Sequence, residues 1–304
     1  MIGVIARQQL LSLRRQQTFL AFLAVFLLMT ALTGVIGWSS HRTIVRVYAA
    51  AVTVLAADGQ PAPPDPFTSV PTLSLLSNMT IYIPLIGALL ALVLGHLAVA
   101  DEQSTGIGRL VFSRPLSRTS YILGKLLGVG LALGAVMAAA TIASLAALIV
   151  ANGRVPSVPD VGRLVLFSVL SLGYLLLFAL VGMLTTLLSR RRSVGLLAGV
   201  SVWLVVTFVL PQFTSGLRPT ASLNPISDPV SSSLAFFQIT ARARPLSVSE
   251  IYKDVSAQIL ALGPGRPAST TLAAVVPVVA IVLALAALVA AAAHRHDYSR
   301  AGAA

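Results

Sequence analysis

Six long apolar runs decide what this chain can fold into, at about 19–38, 79–99, 126–150, 164–188, 194–210 and 272–293. A helix of about 17 to 25 apolar residues crosses the roughly 30 Å hydrocarbon core of a bilayer. The expected fold is therefore all-α: a single membrane domain over 1–304 with six transmembrane helices. The first run is also longer than the 7 to 15 or so apolar residues of a cleaved signal peptide, so it is expected to stay as a span.

Composition closes off other classes. Only 10% of the residues are charged and 57% are hydrophobic, with mean hydropathy +0.91, whereas an ordinary soluble domain carries about 25% charge. The absence of cysteine removes disulfides, thiolate chemistry and thiolate metal sites. The net charge of +12 sits in short clusters between apolar runs and does not form one basic face. It points to lipid and topology and argues against nucleic acid as a partner.

Six spans put both termini on one side. With that side cytoplasmic, twelve of the 21 basic residues fall in short inner segments, as the positive-inside rule requires. Ile2, Ile5, Ala6, Leu10 and Leu13 share one helical side ahead of the first span, giving either an interfacial helix or a basic tail. Residues 39–78 read as a loop containing five prolines, and Pro211 is expected to stop the fifth span. The outer segment, 212–270, carries short amphipathic helices. Ser247 and Glu250 have capping-box spacing, and Ile251, Val255, Ile259 and Leu262 follow at helical period until Gly263-Pro264. Leu234, Phe236 and Phe237 suggest a second short helix. These helices would lie on the outer surface or cap the spans, and a site for an extracytoplasmic partner is the alternative.

The polar interruption at 100–125 holds DEQSTGIGRLVFSRPLSRTSYILGK from Asp101 to Lys125. Asp101 and Glu102 suit the positive end of a helix dipole. Ile107, Leu110 and Val111 share a face, and Arg114-Pro115 breaks the helix because the residue before proline is pushed toward extended geometry. Ser117 or Thr119 can cap a new helix running through Lys125 into the third span. A short amphipathic helix across the base of two spans could carry a push from a soluble partner into the membrane.

At these residues the sequence resembles the permeases of the type-2 ABC exporters. Their pattern after the second span is E-x-x-x-G-T-L, then S-R-P-V-S-R, then G-K at the next span. Glu102 and Gly106 match the first part, Ser113-Arg114-Pro115-Leu116-Ser117-Arg118 the second and Gly124-Lys125 the third, while Ile107 and Gly108 replace Thr-Leu. The six-span layout and Ser249-Glu250-Ile251-Tyr252 are similar to the branch containing the nitrous-oxide-reductase maturation permease. The resemblance implies a homodimer, or a pair with a paralogue, bound to ABC ATPase subunits that carry ATP and Mg. The cytoplasmic loop would be the coupling element, through Glu102, Gly106, Ile107, Arg109, Leu110, Arg114, Pro115 and Arg118. The positive-inside rule alone also accounts for the arginines; Glu102 gains nothing from it. The sequence holds no G-x-x-x-x-G-K-[ST] loop: around Gly124-Lys125, Thr119 and Leu126 stand at the required Gly and Ser/Thr positions. The chain is thus expected to be no enzyme and to hold no catalytic, cofactor or metal site.

Within the spans, Phe19, Phe22, Phe26 and Met29 line one side of the first run, facing either an apolar substrate path or lipid and packing neighbours. His96 is either a functional ionisable group or a neutral hydrogen-bonding residue. Gly124/Gly128, Gly130/Gly134 and Gly195/Gly199 have the spacing of close helix contacts. Scattered Met and His do not suggest a metal pathway, and no protease motif is present. The expected function is export of an apolar or amphipathic substrate from a bacterial plasma membrane. The alternatives are an ATP-independent secondary carrier, which lacks intramembrane charges and paired broken helices, and a membrane anchor or assembly factor.

Overall fold

The computed structural model describes residues 2–15, 17–61, 72–105, 117–153, 155–189, 191–214, 239, 242–244, 247–262 and 268–295. The described elements are helices and turns: α1 (Ile2–Arg15), α2 (Gln17–Ala57), a 3₁₀ turn (Thr72–Leu76), α3 (Met79–Tyr82), α4 (Ala88–Thr105), α5 (Arg118–Asn152), α6 (Val158–Leu188), α7 (Arg192–Leu204), α8 (Leu210–Thr214), α9 (Val248–Ile259) and α10 (Ala268–Arg295). Among the described residues, six helical stretches are long and apolar enough to cross a membrane. The fold is the expected six-span all-α bundle.

α6 is its axis, packing against α4, α5, α7, α9 and α10. Tyr174, Leu175, Phe178, Ala179 and Leu180 are all buried along it. The seam with α4 is tight because glycine faces backbone on both sides. A methyl group on Gly95 would overlap the Ala179 carbonyl, and one on Gly182 would overlap the Leu92 carbonyl. Such close approach is how helices associate where lipid removes the hydrophobic driving force. The other glycine pairs also face neighbours, Gly195/Gly199 toward Thr185 and Thr186, and Gly130/Gly134 more loosely toward Leu176 and Leu172.

Two spans carry π turns, at Ile83–Gly87 and Val205–Val209. Each accompanies a proline, which lacks the N–H that an α-helical turn needs. Pro84 lies in the first. Pro211 follows the second and does not end the helix there: α8 continues to Thr214. The expected stop at Pro211 is thus a bulge, because the widened turn absorbs the ring.

The loop expected from Ser39 is also corrected. α2 runs on to Ala57, about 60 Å in all at 1.5 Å per residue. The polar Ser39-Ser40-His41-Arg42 ends the apolar run without ending the helix, since no proline intervenes before Pro61. The Arg42 guanidinium lies 4.0 Å from the Trp38 ring centroid, an aromatic and cationic pair suited to the edge of a bilayer.

α9 does more than lie on a surface. It packs against α3, α6, α8, α10 and the second π turn, with Ser249, Tyr252, Val255 and Ser256 all buried. Ser247 accepts the Glu250 N–H at 3.4 Å, the expected capping contact. Glu250 is flanked by Lys253 at 3.3 Å and Arg244 at 3.8 Å, and Arg244 also reaches Asp254 at 2.8 Å. Two phenols pin α9 to α6. Tyr252 meets Ser171 at 2.8 Å and Tyr174 meets Ser249 at 2.9 Å, with the two rings 4.5 Å apart. Burial pushes the Tyr252 phenol up. It therefore stays protonated and able to donate at neutral pH. Ser171 is thirteen residues into α6, so α9 reaches about 20 Å down the bundle.

Candidate coupling site at the base of the bundle

The opposite end of the bundle holds α1, the end of α4 and the start of α5, the two helices that flank the polar stretch 106–116. α4 leaves the core through Leu94, Ala98, Val99 and Ala100, all buried, and its helix continues through Asp101 and Glu102 to Thr105. Gly106, Ile107, Arg109, Leu110, Arg114 and Pro115 lie outside the described residues. The chain resumes at Ser117, an extended N-cap whose hydroxyl accepts the Ser120 N–H at 3.2 Å. Of the two expected caps, Ser117 is the one used. Arg118 is the first residue of α5.

The Lys125 side chain joins the two flanks. Lys125, only 2% exposed, donates from Nζ to the Ala98 carbonyl, with the Tyr121 ring 5.1 Å away. Hydropathy places Lys125 as a flanking cation; the fold buries it. A second feature is the seat of α1. A Cβ on Gly124 would stand 2.7 Å from the Ile5 Cβ, and one on Gly128 would stand 2.7 Å from the Gln9 Cβ. Ala6, Gln9 and Leu13 are buried on that face. Of the two readings of the N-terminus, the helix is the one formed, and it lies against α5. The glycine spacing carried that signal, but it did not say that the partner was α1.

The residues proposed for a substrate path do not converge. Phe26 is buried against Gly87, whose built Cβ would approach its ring to 3.1 Å. Phe22 is half-buried against the core, and Met29 is half-buried with its carbonyl accepting from Thr33. His96 lies nine residues beyond Gly87, about 13 Å further along α4. Its Nδ1 is 2.7 Å from the Thr186 hydroxyl in the α4–α6 seam. Thr186 also donates to the Gly182 carbonyl at 2.6 Å, which assigns the imidazole proton to Nδ1.

Among the described residues no cluster of His, Cys, Asp or Glu could hold a metal ion. The described residues here show two helices tied side by side, flanking a polar stretch of sequence. Compared with known families, residues 4–299 match the family described as ABC-2 family transporter protein. No curated protein matches the chain. With nearly its whole length matched and six helices of spanning length, the chain belongs to the ABC-2 family of transporter membrane proteins.

Proposed function

We propose that this chain is the permease subunit of an ATP-driven exporter that moves an apolar or amphipathic substrate outward across a bacterial plasma membrane. The family match over nearly the whole chain carries that reading. ATP and Mg act on separate ABC ATPase subunits, which dock on 101–125 with both termini on the cytoplasmic side. A second permease copy, identical or paralogous, completes the membrane unit. Glu102 and the apolar face of Ile107 and Leu110 make the contact, with Gly106 and Ser113-Arg114-Pro115 shaping the stretch. Spans with few charges away from their ends favour a lipid, peptide or antibiotic over an ion as cargo.

The experiment is co-purification from the native membrane followed by ATPase assays. An ABC ATPase should co-isolate with the wild-type chain. Glu102→Ala and the double variant Ile107→Ser/Leu110→Ser should each weaken that association and lower the activity. Undiminished association and activity in both variants would remove the coupling role from this stretch. Isolation of an extracytoplasmic protein with no ATPase would favour the anchor.

A further inference from the structure

We infer that Lys125 is the positioning residue that makes the two helices flanking the coupling stretch respond as one body. The inference rests on the coupling reading above and adds a residue-level mechanism to it.

A flanking cation normally extends its stem along apolar surface and keeps its head in water. Arg191 and Arg192, at the turn between α6 and α7, are exposed in this way. Lys125 is not. Its ammonium is buried, and a buried ammonium is costly unless hydrogen bonds and opposite partial charge offset the lost hydration. The Ala98 carbonyl supplies one such bond, and it comes from the neighbouring helix. Ala98 lies seven residues before the end of α4 at Thr105, so its carbonyl already accepts within the helix and takes the ammonium on its second lone pair. The bond closes a loop over 27 positions, with the coupling stretch inside it. Gly124 and Gly128, on either side of Lys125, hold α1. A push on the stretch therefore cannot bend the end of α4 without pulling the start of α5 and α1 with it. Without the ammonium, the same push would spread into local fraying.

The test uses the full chain, alone and with its co-isolated ATPase, and reads backbone hydrogen exchange in lipid nanodiscs. Lys125→Met keeps the length and removes the charge, and Lys125→Arg restores a donor. In the chain alone, Lys125→Met should speed exchange in 98–105 by at least about tenfold, as expected for loss of one charge-assisted hydrogen bond. Lys125→Arg should recover part of the protection, and exchange in α9 should stay unchanged, which also shows that the variant is folded. Lys125→Gln replaces Lys125→Met if that variant does not insert. In the complex, ATP with Mg²⁺ and vanadate should alter exchange at both 98–105 and α9 in the wild type, but only at 98–105 in Lys125→Met. Wild-type protection of 98–105 in Lys125→Met, or a wild-type response at α9, would overturn the inference. If no ATPase binds even the wild-type chain, the permease reading fails and the transmission role falls with it. The exchange of the chain alone still decides whether Lys125 ties α4 to α5.

Discussion

The Ser249 hydroxyl donates to the Val206 carbonyl at 3.0 Å, where the backbone of the second π turn has lost a donor. In that turn the Leu210 N–H reaches back five residues to Val205. The next N–H in the same register would come from residue 211, which is proline. Ser249 on α9 supplies the missing hydrogen bond. Trp203 reaches the first π turn, donating from its indole to the Pro84 carbonyl at 3.3 Å. Both widened turns are thus supported by side chains from other parts of the bundle, as buried polar backbone requires.

This arrangement predicts a specific non-additivity. Ser249→Ala should destabilise the protein by about 1 to 3 kcal/mol, because it leaves a buried carbonyl without its donor. In a Pro211→Ala background the backbone N–H returns, and the same serine change should cost clearly less. Thermal unfolding of the four proteins in detergent closes the cycle. Additive changes would mean that Ser249 does not stand in for the missing amide.

The two phenols give a second prediction. Ser249 commits its proton to Val206, and Ser171 donates to the Phe167 carbonyl at 2.7 Å. Tyr174 and Tyr252 must therefore be the donors in their serine contacts. Tyr174→Phe and Tyr252→Phe each remove a donor and keep a ring, so each should cost only about 1 kcal/mol. Tyr252→Ala also removes the ring packed on Tyr174 and should cost about 3 to 5 kcal/mol. Proteolysis within 248–259 should rise in Tyr252→Ala and stay near wild type in Tyr252→Phe. Equal proteolysis in these two variants would show that the ring contact does not hold α9 in place.

These contacts explain which parts of the fold were legible in the sequence. Apolar length gave the six spans, because length against bilayer thickness is a strong constraint. The Ser117 and Ser247 caps were legible for a similar reason: capping is local. The continuation of α2 past Trp38 was not, since hydropathy reports where hydrocarbon ends and says little about where a helix ends. The depth of α9 was hidden because its polar face is buried too. Ser249, Tyr252 and Ser256 resemble a solvent-facing side until Ser171 and Tyr174, three residues apart in an apolar run, are placed opposite them. Lys125 was masked in the same way, since a cation at the end of a span has an adequate explanation without burial. Around the polar stretch 106–116, the structure adds the two flanking helices and the bond between them.

The α4–α6 seam gives a third prediction. Gly95 and Gly182 each face a backbone carbonyl on the opposing helix, so relief of an added methyl requires the helices to separate. Overpacking of this kind costs about 1 to 3 kcal/mol, and more where backbone must move. Gly95→Ala and Gly182→Ala should lower the unfolding temperature markedly and widen the contact between His96 and Thr186. Gly173→Ala on the same α6, with nothing within 4 Å of its built Cβ, should be nearly neutral. Similar losses at all three sites would mean that the close approach at the seam does not set the cost, since helix propensity by itself favours alanine over glycine.

The last prediction concerns α1, whose place depends on two glycines of another helix. A leucine at Gly128 would drive into Gln9 and toward the Ala6 carbonyl, 3.0 Å from the built Cβ. The same change at Gly124 would meet Ile5 and the Ile2 carbonyl. Neither neighbour can yield without lifting α1, because Ala6 and Leu13 are buried on the same face. The exposed Arg7 then becomes a sensitive reporter. Trypsin should cut there at least about tenfold faster in Gly128→Leu than in the wild type, since cleavage follows local opening. Gly134→Ala, on the same helix with only Leu172 at 3.9 Å, should leave the rate unchanged. If Gly128→Leu is cut no faster, α1 is held by something other than its glycine seat. If it is cut faster while 98–105 keeps its exchange protection, then α1 and the Lys125 tie are separable, and α1 can be displaced without opening the base of the bundle.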